Sequence, residues 1–204
     1  MATFVGSNFN DTNYGSEQIQ YGLDGADYLS PQHDNKSYYI YGGNGSDKLF
    51  GYGYEDELYG GSGGDRIRGL GDDDYIEGGA GNDKIFGDFG NDDLYGGRGR
   101  DTFTFDTKLN NKNNVDTIYD FSTGRDEIDL AKSIFTKIGP TDKTLKKNKF
   151  VVGNKAEDSS DRIIYNDKNG VVKYDPDGDG PKGAKKFAIL DSHLDLTHSD
   201  FFVI

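Results

Sequence analysis

The sequence predicts an all-β fold, a parallel β-helix with a small β-rich cap, and three observations predict it. First, seven consecutive nine-residue units fill 42–104: GGNGSDKLF, GYGYEDELY, GGSGGDRIR, GLGDDDYIE, GGAGNDKIF, GDFGNDDLY and GGRGRDTFT. Second, three positions in the unit never vary in kind. Position one is Gly42, Gly51, Gly60, Gly69, Gly78, Gly87 and Gly96. Position six is Asp47, Asp56, Asp65, Asp74, Asp83, Asp92 and Asp101. Position eight is Leu49, Leu58, Ile67, Ile76, Ile85, Leu94 and Phe103. A fixed period of this kind is the signature of a repeat architecture. Third, the apolar fraction of this 204-residue chain is only 33%, too thin for a broad conventional core.

The unit explains itself. Six residues rich in Gly, Asn and Asp supply a turn with positive φ angles that other residues resist. The three that follow form a minimal strand with its eighth-position side chain inward and its neighbours outward. Two units make one coil, and stacked coils align the inward Leu and Ile side chains. Stacking also aligns the turns, so the position-six carboxylates form columns at the strand spacing of about 4.8 Å. A bare column of that kind repels itself and calls for a cation. Carboxylates and backbone carbonyls are hard oxygen donors, which points to Ca²⁺ rather than a softer metal.

The unit resembles the RTX nonapeptide G-G-x-G-x-D-x-U-x, a Ca²⁺-binding β-helix repeat. The resemblance implies a Ca²⁺-loaded parallel β-roll in which each ion sits between turns two repeats apart. The implied ligands are the seven position-six aspartates with backbone groups of the glycine turns. Those turns are Gly42, Gly43, Asn44 and Gly45; Gly60, Gly61, Ser62 and Gly63; Gly78, Gly79, Ala80 and Gly81; Gly87, Asp88 and Gly90; and Gly96, Gly97 and Gly99. Four turns on one side and three on the other leave about five internal sites.

Charge follows the same map. Residues 1–41 hold five acids and one base, 42–104 fourteen and six, and 105–204 seventeen and sixteen, giving −4, −8 and −1 of the total −13. The excess lies where metal is expected, and the absence of a basic face argues against nucleic acid. With no Cys, disulfides and thiolate metal sites are excluded. No stretch approaches the roughly 18 apolar residues of a membrane span. The chain reads as a monomer.

Upstream of Gly42 the unit is worn. Gly22–Ser30 (GLDGADYLS) keeps Gly22, Gly25, Asp27 and Leu29, which makes Asp27 a further candidate ligand. Thr12–Gln20 keeps Gly15, with Glu17 in the acid place and Ile19 in the apolar place. Pro31–Asp34 reads as an inserted loop, and Ser37–Tyr41 as a strand with Ile40 inward. Residues 1–41 thus form an atypical end of the roll. Within the clean units, Tyr54 and Asp72 replace the position-four Gly while Gly53 and Gly71 stand one place earlier. The turn is expected to re-form on those glycines, and the Ca²⁺ site shared by these two units to be the weakest.

After Thr104 the period stops. Residues 105–204 read as the cap. Its strands are 116–121, 126–130, 150–152 and 186–190, with a hairpin of 162–165 and 171–174 turning at Asp167–Gly170. Residues 131–138 suggest a short helix, and 141–149 a basic loop. Lys143, Lys146, Lys147 and Lys149 there are solvated, with a polysaccharide contact as the sharper alternative. The pieces DTIYDFSTGRDEIDL, DRIIYNDKNGVVKYDPDGDG and KKFAIL, with the ending HSDFFVI, resemble the region that follows RTX repeats in secreted bacterial proteins. The resemblance implies an uncleaved signal for type I secretion machinery, with Asp200 before Phe201–Ile204. The N-terminus lacks a basic start and apolar run, so export rests on that tail.

Other patterns weigh less. Gly60–Gly64 matches G-x-S-x-G without the strand-to-helix context of a nucleophile elbow. His33, His193 and His198 form no H-E-x-x-H and read as surface residues. Asp175–Gly180 copies half an EF-hand loop, but its twelfth position is Lys186, so it reads as an Asp-Gly turn. Asp120, Asp126 and Asp129 offer one more site where roll meets cap. The expectation is therefore a secreted, non-enzymatic Ca²⁺-binding β-roll with a structural, adhesive or surface-associated role. The alternative is a non-catalytic accessory module of a secreted enzyme, such as a mannuronan epimerase, a protease or a lipase, with an extracellular polysaccharide as partner.

Overall fold

A computed structural model describes residues 3–7, 9, 11–13, 18–31 and 36–204. Two sheets face each other across a thin apolar seam. One side is built from β1 (Thr3–Val5), β3 (Ile19–Asp24), β5 (Tyr39–Asn44), β7 (Glu57–Ser62), β9 (Tyr75–Ala80), β11 (Asp93–Arg98) and β13 (Asp116–Ile118). The other is built from β2 (Thr12–Asn13), β4 (Tyr28–Leu29), β6 (Lys48–Phe50), β8 (Arg66–Gly71), β10 (Lys84–Phe89), β12 (Thr102–Phe105) and β14 (Glu127–Leu130). The chain alternates between the sheets, and all these pairings are parallel. Register fixes the coil at two units: Ile40 pairs with Leu58 and Leu58 with Ile76, each 18 residues on.

The seam is one side chain thick per strand. Ile40, Leu58, Ile76, Leu94 and Ile118 from one sheet meet Leu29, Leu49, Ile67, Ile85, Phe103 and Ile128 from the other, all essentially inaccessible to solvent. Each such side chain contributes about 1.5–3 kcal/mol. On the outer face of the first sheet, Tyr21, Tyr41, Tyr59, Tyr75, Tyr95 and Tyr119 form a continuous ladder with centroids 4.8–5.6 Å apart.

The roll is longer than its clean repeats. Asp93 pairs with Thr117, a step of 24 residues, and Thr102 with Glu127, a step of 25. Loop insertions therefore hide one more full coil beyond Thr104. Upstream, the worn unit is shifted by one from its expected frame. Ile19 pairs with Tyr39 and Gln20 with Ile40, so Gln20, not Ile19, fills the inward place, and it is fully buried. Gln18 then takes the acid place; Gly15 and Glu17 lie outside the described residues, as do 32–34 of the expected loop and with them His33.

Past Leu130 the chain closes the end of the roll. β19 (Lys185–Ile189) pairs with β13 and then antiparallel with β18 (Val171–Tyr174), which pairs antiparallel with β17 (Ile163–Tyr165); β16 (Phe150–Val152) is the sheet edge. The hairpin turns at Gly170, φ 71°. β20 (Phe201–Val203) extends the second sheet beside β14, flanked by β15 (Lys143–Thr144), so the basic loop is partly strand, and Lys147–Lys149 is a 3₁₀ turn. The helix expected at 131–138 is absent. Two separate turns replace it, with Phe135 N–H bonded to Ala131 and Ile138 N–H to Phe135, because Phe135 and Ile138 are both drawn fully into the core. Phe135 meets Tyr174 and Phe187 edge-on at 5.1 Å.

Candidate metal centre

The turns stack into two columns along opposite edges of the roll. Column one runs through Asp11, Asp27, Asp47, Asp65, Asp83, Asp101 and Asp126. Column two runs through Tyr38, Asp56, Asp74, Asp92 and Asp116. One hydrogen bond defines both. The Oδ1 of each position-six Asp accepts the backbone N–H of the position-six residue one coil earlier. In column one, Asp27, Asp47, Asp65 and Asp83 donate to Asp47, Asp65, Asp83 and Asp101 at 2.7, 2.8, 2.8 and 3.0 Å. Asp11 donates to Asp27 at 2.6 Å and Asp101 to Asp126 at 3.1 Å. In column two, Tyr38, Asp56 and Asp74 donate to Asp56, Asp74 and Asp92 at 2.7, 2.8 and 2.9 Å, and Asp92 to Asp116 at 3.4 Å.

That bond uses one oxygen and leaves the other without a protein donor. The Oδ2 atoms of Asp27, Asp47, Asp56, Asp65, Asp74, Asp83, Asp92 and Asp101 are buried and make no hydrogen bond. Orphaned carboxylate oxygens are costly, and eight in two rows call for a common partner. Position one shows what surrounds them. A Cβ on Gly42 would sit 2.5 Å from both Asp47 Oδ2 and the Gly60 carbonyl oxygen. The carboxylate and the next coil's carbonyl therefore converge where only glycine leaves room. The donor set is oxygen alone, from carboxylates of successive coils and turn carbonyls. That fits a hard cation such as Ca²⁺. Among the described residues no three His, Asp or Glu side chains converge, so any ion here relies on carbonyls as well as paired carboxylates.

Burial has an electrostatic consequence. It pushes Asp47 and Asp83 up to about 6, Asp56 and Asp65 to about 7, and Asp74 to about 10, with like-charged neighbours adding to it at Asp65 and Asp74. Asp92 rises to about 6, and Asp27 and Asp101 are raised. Burial, with the charge of Asp92 beside it, also raises Asp116 well above its ordinary value. Without a cation the columns resist ionisation.

The predicted turn residues occupy equivalent places. Gly43, Gly61, Gly79 and Gly97 at position two, and Gly45, Gly63, Gly81 and Gly99 at position four, all have positive φ in column one. Asn44, Ser62 and Ala80 lie between them at the strand ends, and Asn44 donates to Asp24 at 2.6 Å. Gly60, Gly78 and Gly96 repeat the place of Gly42. In column two Gly87 and Gly90 keep that pattern, whereas Asp88 turns its carboxylate 3.0 Å from Arg68 Nε and gives its carbonyl to the Thr107 hydroxyl.

Column two corrects one expectation. The turns at Tyr54 and Asp72 do not re-form on Gly53 and Gly71. Positive φ stays at positions two and four, on Tyr52 (93°), Tyr54 (72°), Leu70 (81°) and Asp72 (66°). Stacking dictates the path, and Asp72 Oδ2 ties the two turns by accepting Tyr54 N–H at 2.9 Å. The junction candidates also separate. Asp126 joins column one, with its second oxygen taken by Ser122 N–H at 2.8 Å. Asp120 caps Gly96 and Gly97 N–H at 2.8 and 2.7 Å. Asp129 instead pairs with Lys84 at 2.7 Å. In the half EF-hand, Asp175 accepts its own turn's Asp177 and Gly178 N–H at 3.2 and 3.1 Å. His193 is exposed, and His198 Nδ1 lies 3.0 Å from the Leu145 carbonyl.

Sequence reading missed Asp11 and Asp116, and it offered Asp126 as a junction candidate without assigning it to a column. The Asp-x-Ile spacing of Asp116–Ile118 and Asp126–Ile128 was the available signal.

A family model described as the RTX calcium-binding nonapeptide repeat (4 copies) matches residues 41–76 and 68–103. No curated protein gives a significant match to the chain. The repeat span, the 18-residue coil and the two aspartate columns agree: the chain carries RTX calcium-binding nonapeptide repeats over 41–103, and they fold as a parallel β-roll.

Proposed function

We propose that this chain is a secreted, non-catalytic β-roll that folds on binding Ca²⁺ outside the cell and serves a structural, adhesive or surface-associated role. The observation that carries the reading is the double row of buried, unpartnered Asp Oδ2 atoms. Asp47, Asp65, Asp83 and Asp101 with Asp27 in column one, and Asp56, Asp74 and Asp92 in column two, would hold the ions with carbonyls of the glycine turns. Bound Ca²⁺ supplies the positive charge that lets these carboxylates stay ionised while buried. The residues themselves set the spacing: each Oδ1 hydrogen bond orients the Oδ2 beside it.

Metal-binding free energy then becomes folding free energy. Cytosolic Ca²⁺ lies far below the 10⁻⁴ to 10⁻³ M affinities of extracellular modules. The repelling columns would keep the chain expanded inside the cell, and mass action would fold it outside. RTX calcium-binding repeats are typical of secreted bacterial proteins, and the tail ending in Asp200–Ile204 is the proposed type I export signal. The test is circular dichroism with and without chelator. A cooperative gain of β signal on adding Ca²⁺ is expected, and an unchanged folded spectrum in EGTA would overturn the reading.

A further inference from the structure

The six-residue insertion that lengthens the coil between β11 and β13 builds a second feature, remote from the aspartate columns. Loop 106–115 is pinned at two outside points and braced once within itself. Asn114 Oδ1 accepts Gly90 N–H at 3.1 Å, its Nδ2 donates to the Lys108 carbonyl at 3.1 Å, and Asn111 Oδ1 accepts Lys186 N–H from β19 at 2.8 Å. Together with Phe89, the loop and β19 enclose a depression of about 450 Å³. Insertions in solenoid repeats commonly map to the binding face, and pinned loops lose little freedom when a ligand binds.

The chemistry of this depression contrasts with that of the aspartate columns. The chain carries −13 net charge, yet Lys108, Lys112 and Lys185 converge here, all exposed. Among the described residues none of the three forms an ion pair. Phe89 stands at position three of its turn, where the column-one turns have Asn44, Ser62, Ala80 or Arg98. It is 55% exposed and gains nothing there from the core. Asn110 and Asn113 line the same depression and bring side-chain amides to it. An aromatic surface, amides and uncompensated cations suit a ligand with apolar ring faces, many hydroxyls and negative charge.

We propose that this groove binds an acidic polysaccharide, its carboxylated sugars stacking on Phe89 and pairing with Lys108, Lys112 and Lys185. The surroundings set a direction. On the other side of Phe89 a neighbouring depression holds Asp72 and Asp73, which repel a polyanion. On the lysine side the groove continues past Lys108 and Lys185 to Tyr174 and Pro176 of the cap. The glycan therefore runs from Phe89 toward the cap and away from Asp72 and Asp73. The proposal rests on the folded roll and not on how the roll comes to fold.

The test uses the full chain in Ca²⁺ with three probes: a short oligouronate kept below gelling length, the matching neutral oligosaccharide, and polyglutamate. Titration calorimetry should show oligouronate binding, weakened by added salt, and none of the neutral sugar. Phe89→Ala and the double variant Lys108→Gln/Lys185→Gln should each weaken it at least about tenfold, or ~1.4 kcal/mol. Phe89→Tyr should retain it. Circular dichroism and Ca²⁺ content should be unchanged in all three. No oligouronate binding, indifference to both the aromatic and the lysine variants, or equal affinity for polyglutamate would each overturn the proposal.

Discussion

The two turn columns follow one backbone path with different residues. In column one, positions two and four are glycine in all four clean units, at φ of 91–145°. In column two the same six places hold Tyr52, Tyr54, Leu70, Asp72, Asp88 and Gly90, so five of six are side-chain-bearing residues at φ of 66–93°. Each such residue costs about 1–3 kcal/mol. Column two accepts the cost because every coil passes through both columns. Once strands of 18-residue periodicity pair, the turn between them has no other route. The comparison teaches that column one is built by its own turn residues, whereas column two is imposed by the stack.

The largest expected effect breaks column one. A Cβ on Gly63 (φ 132°) would lie inside the Gly45 carbonyl. Gly63→Ala should therefore cost more than about 3 kcal/mol, read by denaturant unfolding in Ca²⁺. A loss below 1 kcal/mol, roughly that of an ordinary surface change, would show that column one is as compliant as its counterpart.

Next in size is the response to acid without metal. Asp56 and Asp65 are raised to about 7 and Asp74 to about 10 from an ordinary 3.8. A carboxylate that holds its proton more tightly when folded stabilises the fold below its unfolded pKa. That contribution is lost as pH rises through the folded value. In chelator, β structure should be greater near pH 4 than at pH 7.5, fading across that interval. In Ca²⁺ the slope should reverse, because protons compete with the ion. Parallel pH profiles with and without Ca²⁺ would contradict this.

The smallest effect sharpens the comparison. Tyr54→Gly relieves a positive φ worth about 1–2 kcal/mol and gives back part of it as chain entropy. A net gain of about 0.5–1 kcal/mol is expected, with tighter Ca²⁺ binding at the turns of Tyr54 and Asp72. Calorimetric titration would resolve that class of site. An unchanged affinity would show that backbone strain at Tyr54 does not weaken Ca²⁺ binding there.

Legibility followed the period. Leu49, Leu58, Ile67 and their successors were readable as the core, and Asp47 to Asp101 as the turns, because spacing alone sets which side chain points inward. Where insertions broke the period, the column was lost from view: Asp116 read only as part of a strand, and Asp126 only as a junction candidate. Asp116 and Asp126 carry the right Asp-x-Ile pattern but stand 24 and 25 residues from their partners. Gln20 was missed because a buried amide does not look like a core residue. The helix expected at 131–138 gave way to tertiary pull on Phe135 and Ile138.

By itself, the sequence determined the coil, its two faces and the oxygen-only chemistry of the turns, since these are consequences of local periodicity and residue type. Only the tertiary structure decided that the roll continues to Leu130, that one carboxylate oxygen is spent on the coil below while the other is buried without a hydrogen bond, and that a lysine-lined groove forms beside Phe89. Each of these depends on contacts between residues far apart in the chain, and pairing across a variable loop has no fixed spacing to read.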